Sequence, residues 1–564
     1  MSFEIKHKDA SAAFGYFHFQ EKAIRIPTLV EVRGDTLIAT TEGGEKTEIR
    51  MPDVIFTNPE GYFPAPLSMT NLEDDWKIVG EWIVVVDWRH LPDFRNFSQA
   101  LCFFPRGTEL FHRPKEFSDA ILAIRKAIGF GKLLYVPGIA LPSRIAVLSC
   151  LRIDLFDDAL ARFLGEKGVR TLSAGLLPEK ERCVAENLAE LKSELNVVER
   201  FGKGGKLREL VEMRIRAEPE LVALLRYMDL LHYEFFENLW TVCGKKFYAN
   251  SKESLSRVDV VRYRKKILNY RGINADLLLL LPCSAKKPYH QSRSHMLVEE
   301  VLRSTGVRAN IHVVSLTSPL GVVPEELENF YPANAYDIPV TGHWDWEEKQ
   351  VVIEGLEPLI KKYRFVLAHL PDDYKFVVEH FGLENTCKDD DVTSEASLKA
   401  LVEKVGEFQL EKGQHWKRLA EEVKNALKFQ FSGIDTAFLT EAKIKGNRWN
   451  WLLVCGSNAF RMDEETGKIL VLEEGGKILA SQRVKCVEIG EFKLKGDVFV
   501  PGIVSATSDI REGDEVVVVQ NGVAVGTGRA MLSGIEMRDL KKGLAVKMRE
   551  RWKFIPGITE INIG

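Results

Sequence analysis

Five consecutive leucines, residues 277–281, end in Pro282 and run straight into a polar cluster, CSAKKPYHQSRSH. An apolar run this short, bounded by proline, reads as a fully buried strand of a parallel sheet, although periodicity alone leaves a buried helix open. Open α/β sheets bind ligands just beyond the carboxyl ends of such strands. Cys283, Lys286, Lys287, Tyr289, Ser292, Ser294 and His295 therefore stand where chemistry usually happens: a nucleophile, two cations and a titratable imidazole.

The rest of the chain sets bounds around that cluster. At 564 residues it is too long for one core, and three or four domains are expected. No apolar stretch is long enough to span a bilayer, so no membrane partner is expected, and the first residues lack a signal-peptide layout. Eight cysteines occur singly, without a CxxC pair, which points to a reducing cytoplasm and gives no metal site. A net charge of −4 excludes a broad electrostatic attraction to nucleic acid. The balance is uneven, however: residues 521–554 carry eight Lys or Arg, from Arg529 to Lys553, against three Asp or Glu. That face is compatible with RNA binding, and equally with a solvated surface.

Periodicity divides the chain further. Residues 1–220 alternate strand-like and helix-like segments, among them 82–86 (WIVVV), 116–128, 133–136 (LLYV) and 144–151, as an α/β barrel or parallel sheet would. Residues 221–395 hold an amphipathic helix at 258–270, the leucine strand, and two further buried strands at 309–315 and 363–370. Residues 396–488 contain the rest of a long helical pattern (394–429) and then a small mixed module with turns at DEETGK and EEGGK. Residues 489–564 show short strands with glycine-containing turns, which indicate a compact β-barrel. The expected fold is multidomain α/β with a C-terminal β-barrel.

Two resemblances sharpen this outline. The segment 496–551, with VPGI, REGDEVVVV, VGTGRAMLSG and GLAVKMR in that order, resembles the PUA domain, a small barrel that binds structured RNA. Gly526, Gly528 and Gly534 suit close backbone approach, while Arg529, Lys547, Arg549 and Arg551 are the candidate phosphate contacts. Pro282, Cys283, Lys287, Pro288, Tyr289, Ser292 and His295 fill the spacing of the archaeosine synthase signature, which the chain resembles from end to end. Segments 316–328 and 331–348 look like the same family.

The family resemblance implies a degenerate (β/α) barrel of transglycosylase type over residues 1–220. The stretch GIALPSRIAVLSCLRIDLFDD, residues 138–158, is similar to the one that ends at the aspartate nucleophile of tRNA-guanine transglycosylases, and Asp157 falls at that position. The Pro-Thr-Arg segment that should follow is replaced by ALARF, and neither the Asp-Ser-Gly-Gly-Phe motif nor the zinc-binding cysteine pattern is present. Base exchange needs nucleophile, acid and pocket together, so this unit is expected to have lost that reaction.

The resemblance also implies the chemistry: addition of a nitrogen donor to the nitrile of 7-cyano-7-deazaguanine at position 15 of tRNA. Free lysine, glutamine or ammonia is the donor and no bound cofactor is implied. A radical-SAM partner and a homodimer are both compatible with the family. Cys283 could form a thioimidate, Lys287 would favour its thiolate, and His295 and Tyr289 are the expected proton carriers. Ser292 is read either as a helix cap or as a substrate contact. His343 and Asp345 either line the same pocket or flank tryptophans that pack a sheet edge. The competing readings are a working transglycosylase and a non-catalytic tRNA-binding scaffold.

Overall fold

A computed structural model of the protein describes residues 2–19, 21–33, 36–50, 75–79, 81–242 and 245–552. Lys553 of the basic tail lies outside them. Contacts gather the chain into two units, residues 1–241 with 487–514 and 528–549, and residues 242–486 with 515–527 and 550–564. Among the described residues no helix is long and apolar enough to cross a membrane.

In the first unit, strands Thr28–Arg33, Leu155–Asp157, Leu133–Tyr135, Leu101–Phe103 and Ile83–Val86 run parallel in that spatial order. Antiparallel strands extend the ladder at both ends, so that it runs from Lys46–Arg50 to Trp76–Val79 as a linear order of eight among the described residues. The inner strands are short and wholly buried, which explains their unbroken apolar texture. Helix Pro114–Ile128 starts with proline at its first turn and buries Phe117, Ile121, Ile124 and Ile128 along one stripe.

In the second unit the leucine run is the strand Leu277–Pro282, at the centre of a five-stranded sheet. Ile311–Thr317 and Phe365–Ala368 flank it in parallel, and Gly321–Pro324 and Glu384–Asn385 form the edges. Leu278 and Leu280 point into a core with Val260, Tyr263, Val314 and Leu356. Leu277, Leu279 and Leu281 point the other way, against Val298, Leu302, Leu401 and Val405. Covered on both faces, every leucine is useful, at roughly 2 kcal/mol for each side chain removed from water.

Two sequence expectations change in form. The helical pattern 394–429 is two helices, Glu395–Glu407 and His415–Gln430. The expected turn EEGGK is instead the start of helix Glu473–Gln482, which follows the antiparallel strands Lys443–Gly446, Trp451–Cys455, Ser457–Asp463 and Lys468–Val471. Its two glycines serve packing: a Cβ on Gly475 would lie 2.1 Å from the Ala459 carbonyl oxygen, and one on Gly476 2.3 Å from the Trp552 ring.

The C-terminal strands form a six-stranded sheet ordered Val498–Phe499, Leu544–Arg551, Val523–Ala530, Glu515–Gln520, Cys486–Ile489, Ile503–Ala506. A Cβ on Gly528 would lie 2.4 Å from the Lys547 carbonyl oxygen, so that position requires glycine. Glu536 completes a capping box with Ser533 and ion-pairs with Lys8 at 2.6 Å and Arg152 at 2.9 Å, all in the first unit. Burial opposes its charge, but Lys8 and Arg152 overcome that cost and hold the carboxyl down to about 2.

Candidate active site

Cys283 is the first residue past the central strand. Its N–H donates to the Leu316 carbonyl at 3.0 Å, which carries the ladder one residue beyond Pro282. The Tyr374 hydroxyl lies 3.4 Å from the same N–H, 3.5 Å from Cys283 Sγ and 3.2 Å from the Leu316 oxygen. It has one proton to donate, to the sulfur or to the carbonyl. Burial and the facing thiol push the Tyr374 hydroxyl well above its ordinary range, so it stays a donor. Trp344 fixes the ring from behind, at 5.1 Å and 64°.

Lys287 is half-buried on the loop after the strand. Its Nζ sits 4.1 Å from the centre of the Tyr336 ring and donates to the Ser284 carbonyl at 3.4 Å. Burial lowers its pKa, against the opposing pull of Cys283 and Asp337. A half-desolvated ammonium parts with its proton more readily than a surface lysine. Beneath it the Tyr289 and Tyr336 hydroxyls meet at 2.5 Å, and Tyr336 also bonds to Thr317 Oγ1. Burial pushes both phenols well above their ordinary values. The Tyr289 hydroxyl is thus one end of a chain that runs through Tyr336 to Thr317.

His295 occupies the first turn of helix Arg293–Ser304, whose cap is Ser292: its side chain accepts from the His295 N–H at 3.3 Å. The imidazole stacks on Tyr289 at 5.4 Å and its Nε2 donates to the Pro282 carbonyl at 3.0 Å. Burial drives its pKa down to about 4 despite that bond, so the ring is neutral. It clasps the strand end to the helix. Asp345 is also a cap, in a reciprocal box with Glu348 at the start of helix Trp346–Ile360. His343 is 81% exposed and 3.8 Å from Asp345, and it is the neighbouring Trp344 that packs on Tyr374.

Asp157 belongs to the first unit, at the carboxyl end of its own parallel strand. It is completely buried, and its oxygens accept from the Gly138 N–H at 2.6 Å, the Ala159 N–H at 3.0 Å and the Tyr135 hydroxyl at 3.0 Å. Burial raises its pKa to about 6, against those three bonds. On the C-terminal sheet Lys547, Arg549 and Arg551 are exposed at alternate positions of one strand and so share a face, and Arg529 is exposed on the neighbouring strand beside Glu512 at 3.3 Å.

Sequence reasoning missed Tyr374, Tyr336 and Thr317, which reach the site from 34 to 91 residues away in the chain. An apolar-run pattern gives no sign of them, although Tyr374 follows a proline at the end of a predicted buried strand. His290 was passed over as well: its Nδ1 lies 2.6 Å from the buried Glu328 carboxylate.

These features define a multidomain α/β protein with a C-terminal PUA domain, and the PUA family model matches residues 488–551. A second model, described as a domain of unknown function (DUF5591), matches residues 260–405 and so contains the Cys283 site. Archaeosine synthase subunit alpha of Thermoplasma acidophilum is 32% identical over 80% of this chain and 88% of its own length. The protein of the same name from Methanosarcina acetivorans is 32% identical over 78% of each chain. The tRNA-guanine(15) transglycosylase of Methanosphaera stadtmanae is 25% identical over 78% of this chain and 70% of its own. The chain belongs to the archaeosine synthase family.

Proposed function

We propose that this protein is a tRNA-modifying transferase that adds a nitrogen donor to the nitrile of 7-cyano-7-deazaguanine at position 15 of tRNA. The observation that carries the reading is Cys283 at the carboxyl end of a buried parallel strand, its sulfur 3.5 Å from the Tyr374 hydroxyl, with the half-buried Lys287 on the same loop. The Cys283 sulfur adds to the nitrile carbon while the thiol proton passes, by way of the lowered-pKa Lys287, to the nitrile nitrogen. The thioimidate so formed is attacked by the donor amine. The carbon–sulfur bond then breaks, the leaving thiolate takes up the proton that the donor amine loses, and an amidine remains. Tyr374, hydrogen-bonded to Sγ, positions the sulfur for both halves.

We assign the remaining parts accordingly. The exposed cations Arg529, Lys547, Arg549 and Arg551 are the tRNA-phosphate contacts. The first unit is a degenerate (β/α) unit that holds RNA or shapes the enzyme. A guanine-exchange reading would need Asp157 as nucleophile, and that carboxylate is sealed by three hydrogen bonds. With lysine as donor, a radical-SAM partner would cleave the adduct, in the cytoplasm. The test is mass spectrometry of nucleosides from tRNA bearing the nitrile base, after incubation with the protein and lysine, glutamine or ammonium. A donor-mass adduct on the cyano base is expected, whereas exchange of labelled guanine with no such adduct would overturn the proposal.

A further inference from the structure

A cavity of about 380 Å³ opens beside the strand end, on the face opposite Tyr336 and Tyr374, lined in part by Leu281, Ser315, His295 and Trp449. His295 is a shared wall: it lines the cavity while its Nε2 holds the Pro282 carbonyl, in the peptide that joins Pro282 to Cys283. The mechanism above leaves two other wall residues unused, His290 and Glu328.

These two form a carboxylate–histidine pair. Glu328 Oε1 lies 2.6 Å from His290 Nδ1, and Oε2 accepts from the His290 backbone N–H at 3.2 Å. A carboxylate only accepts, so Nδ1 carries the hydrogen of this contact and Nε2 is the ring's remaining polar atom. That Nε2 is buried and without a hydrogen-bond partner among the described residues, while Trp449 holds the ring at 4.4 Å. A buried polar atom left open has a cost that a ligand would remove.

The charges indicate the sign of that ligand. The guanidiniums on the wall are already committed: Arg308 to Glu299 and Glu325, Arg448 to Glu325 and Glu422, and Arg303 to Glu299. Among the described residues neither Glu328 nor Glu300 is paired with a lysine or an arginine. Burial raises the Glu328 pKa, as expected for a carboxylate still lacking a full cation partner. A cavity of this volume is larger than ammonia needs and suits a small organic molecule.

We infer that this cavity binds a small molecule of amino-acid size through its protonated primary amine, with Glu328 and His290 as the anchor. Resting on the proposed function, the inference places the nitrogen donor next to the Cys283 peptide, across the His295 wall.

The experiment is calorimetric titration of the full chain, free of tRNA, with L-lysine, and separately with L-glutamine and ammonium chloride. Saturable binding of L-lysine is expected, weakened at least tenfold in Glu328→Gln and His290→Ala and a few-fold in the surface variant Glu300→Gln, with melting curves confirming that each is folded. If Glu328→Gln does not fold, His290→Ala and Glu300→Gln decide. No saturable binding of lysine, or binding unchanged in the folded variants, would overturn the inference. Ammonium binding as tightly as lysine would overturn the size assignment. The two proposals fail separately: lysine binding without any modification of nitrile-bearing tRNA would sink the proposed function, and modification without lysine binding at these residues would sink this one.

Discussion

Asp157 and Cys283 occupy comparable places in two different sheets, each at the carboxyl end of a short buried parallel strand. The aspartate is fully buried, and each of its oxygens is taken by a backbone or phenolic donor. The cysteine is half-buried, bonded through its N–H to the neighbouring strand, and its sulfur meets the Tyr374 hydroxyl. The strand end supplies a position; access and an activating partner supply reactivity. A carboxylate that fixes the Gly138 turn is part of the scaffold.

Variants can break or sharpen that contrast. Lys287→Ala should slow single-turnover modification by on the order of 10²–10⁴-fold, the usual worth of a positioned proton donor, and a loss under threefold would remove Lys287 from the chemistry. Tyr374→Phe deletes only the hydroxyl at Cys283 Sγ, and about tenfold is expected from one hydrogen bond; an unchanged rate would mean that the backbone alone holds the cysteine. Asp157→Asn should leave the rate per folded molecule within about twofold, measured on the same tRNA.

Smaller effects concern binding and pH. Replacing Arg529, Lys547, Arg549 or Arg551 singly by Ala should lower the salt slope of tRNA binding by about 1 each while leaving turnover at saturating tRNA intact. Filter binding at several salt concentrations reads this directly. Because the folded pKa of Asp157 is raised to about 6 from 3.8, the folded state holds that proton more tightly. Its stabilising contribution is full below 3.8 and disappears as pH rises through about 6. Wild type should therefore gain stability relative to Asp157→Asn as pH falls across that window, and parallel denaturation curves would contradict the burial argument.

The contrast also explains what could be read from residues alone. The leucine strand was legible because burial on both faces demands an unbroken apolar run, and the cap at Ser292 because capping is local chemistry. The sealing of Asp157 was not, since it depends on Tyr135 of the neighbouring parallel strand and on Gly138 in the turn after it. Tyr374 and Tyr336 arrive from distant segments, and what brings them is core packing. The EEGGK segment misled for a related reason: its glycines make room for Ala459 and Trp552 in a helix, where local rules read a turn.

Covalent trapping tests the central claim most directly. The full chain would be incubated with nitrile-bearing tRNA in the absence of any amine, digested with nuclease and protease, and its peptides mapped by mass spectrometry. The account predicts the modified nucleoside attached through its former nitrile carbon to the peptide carrying Cys283, and lost from Cys283→Ser. An adduct on the peptide carrying Asp157, with Cys283 unmodified, would contradict it.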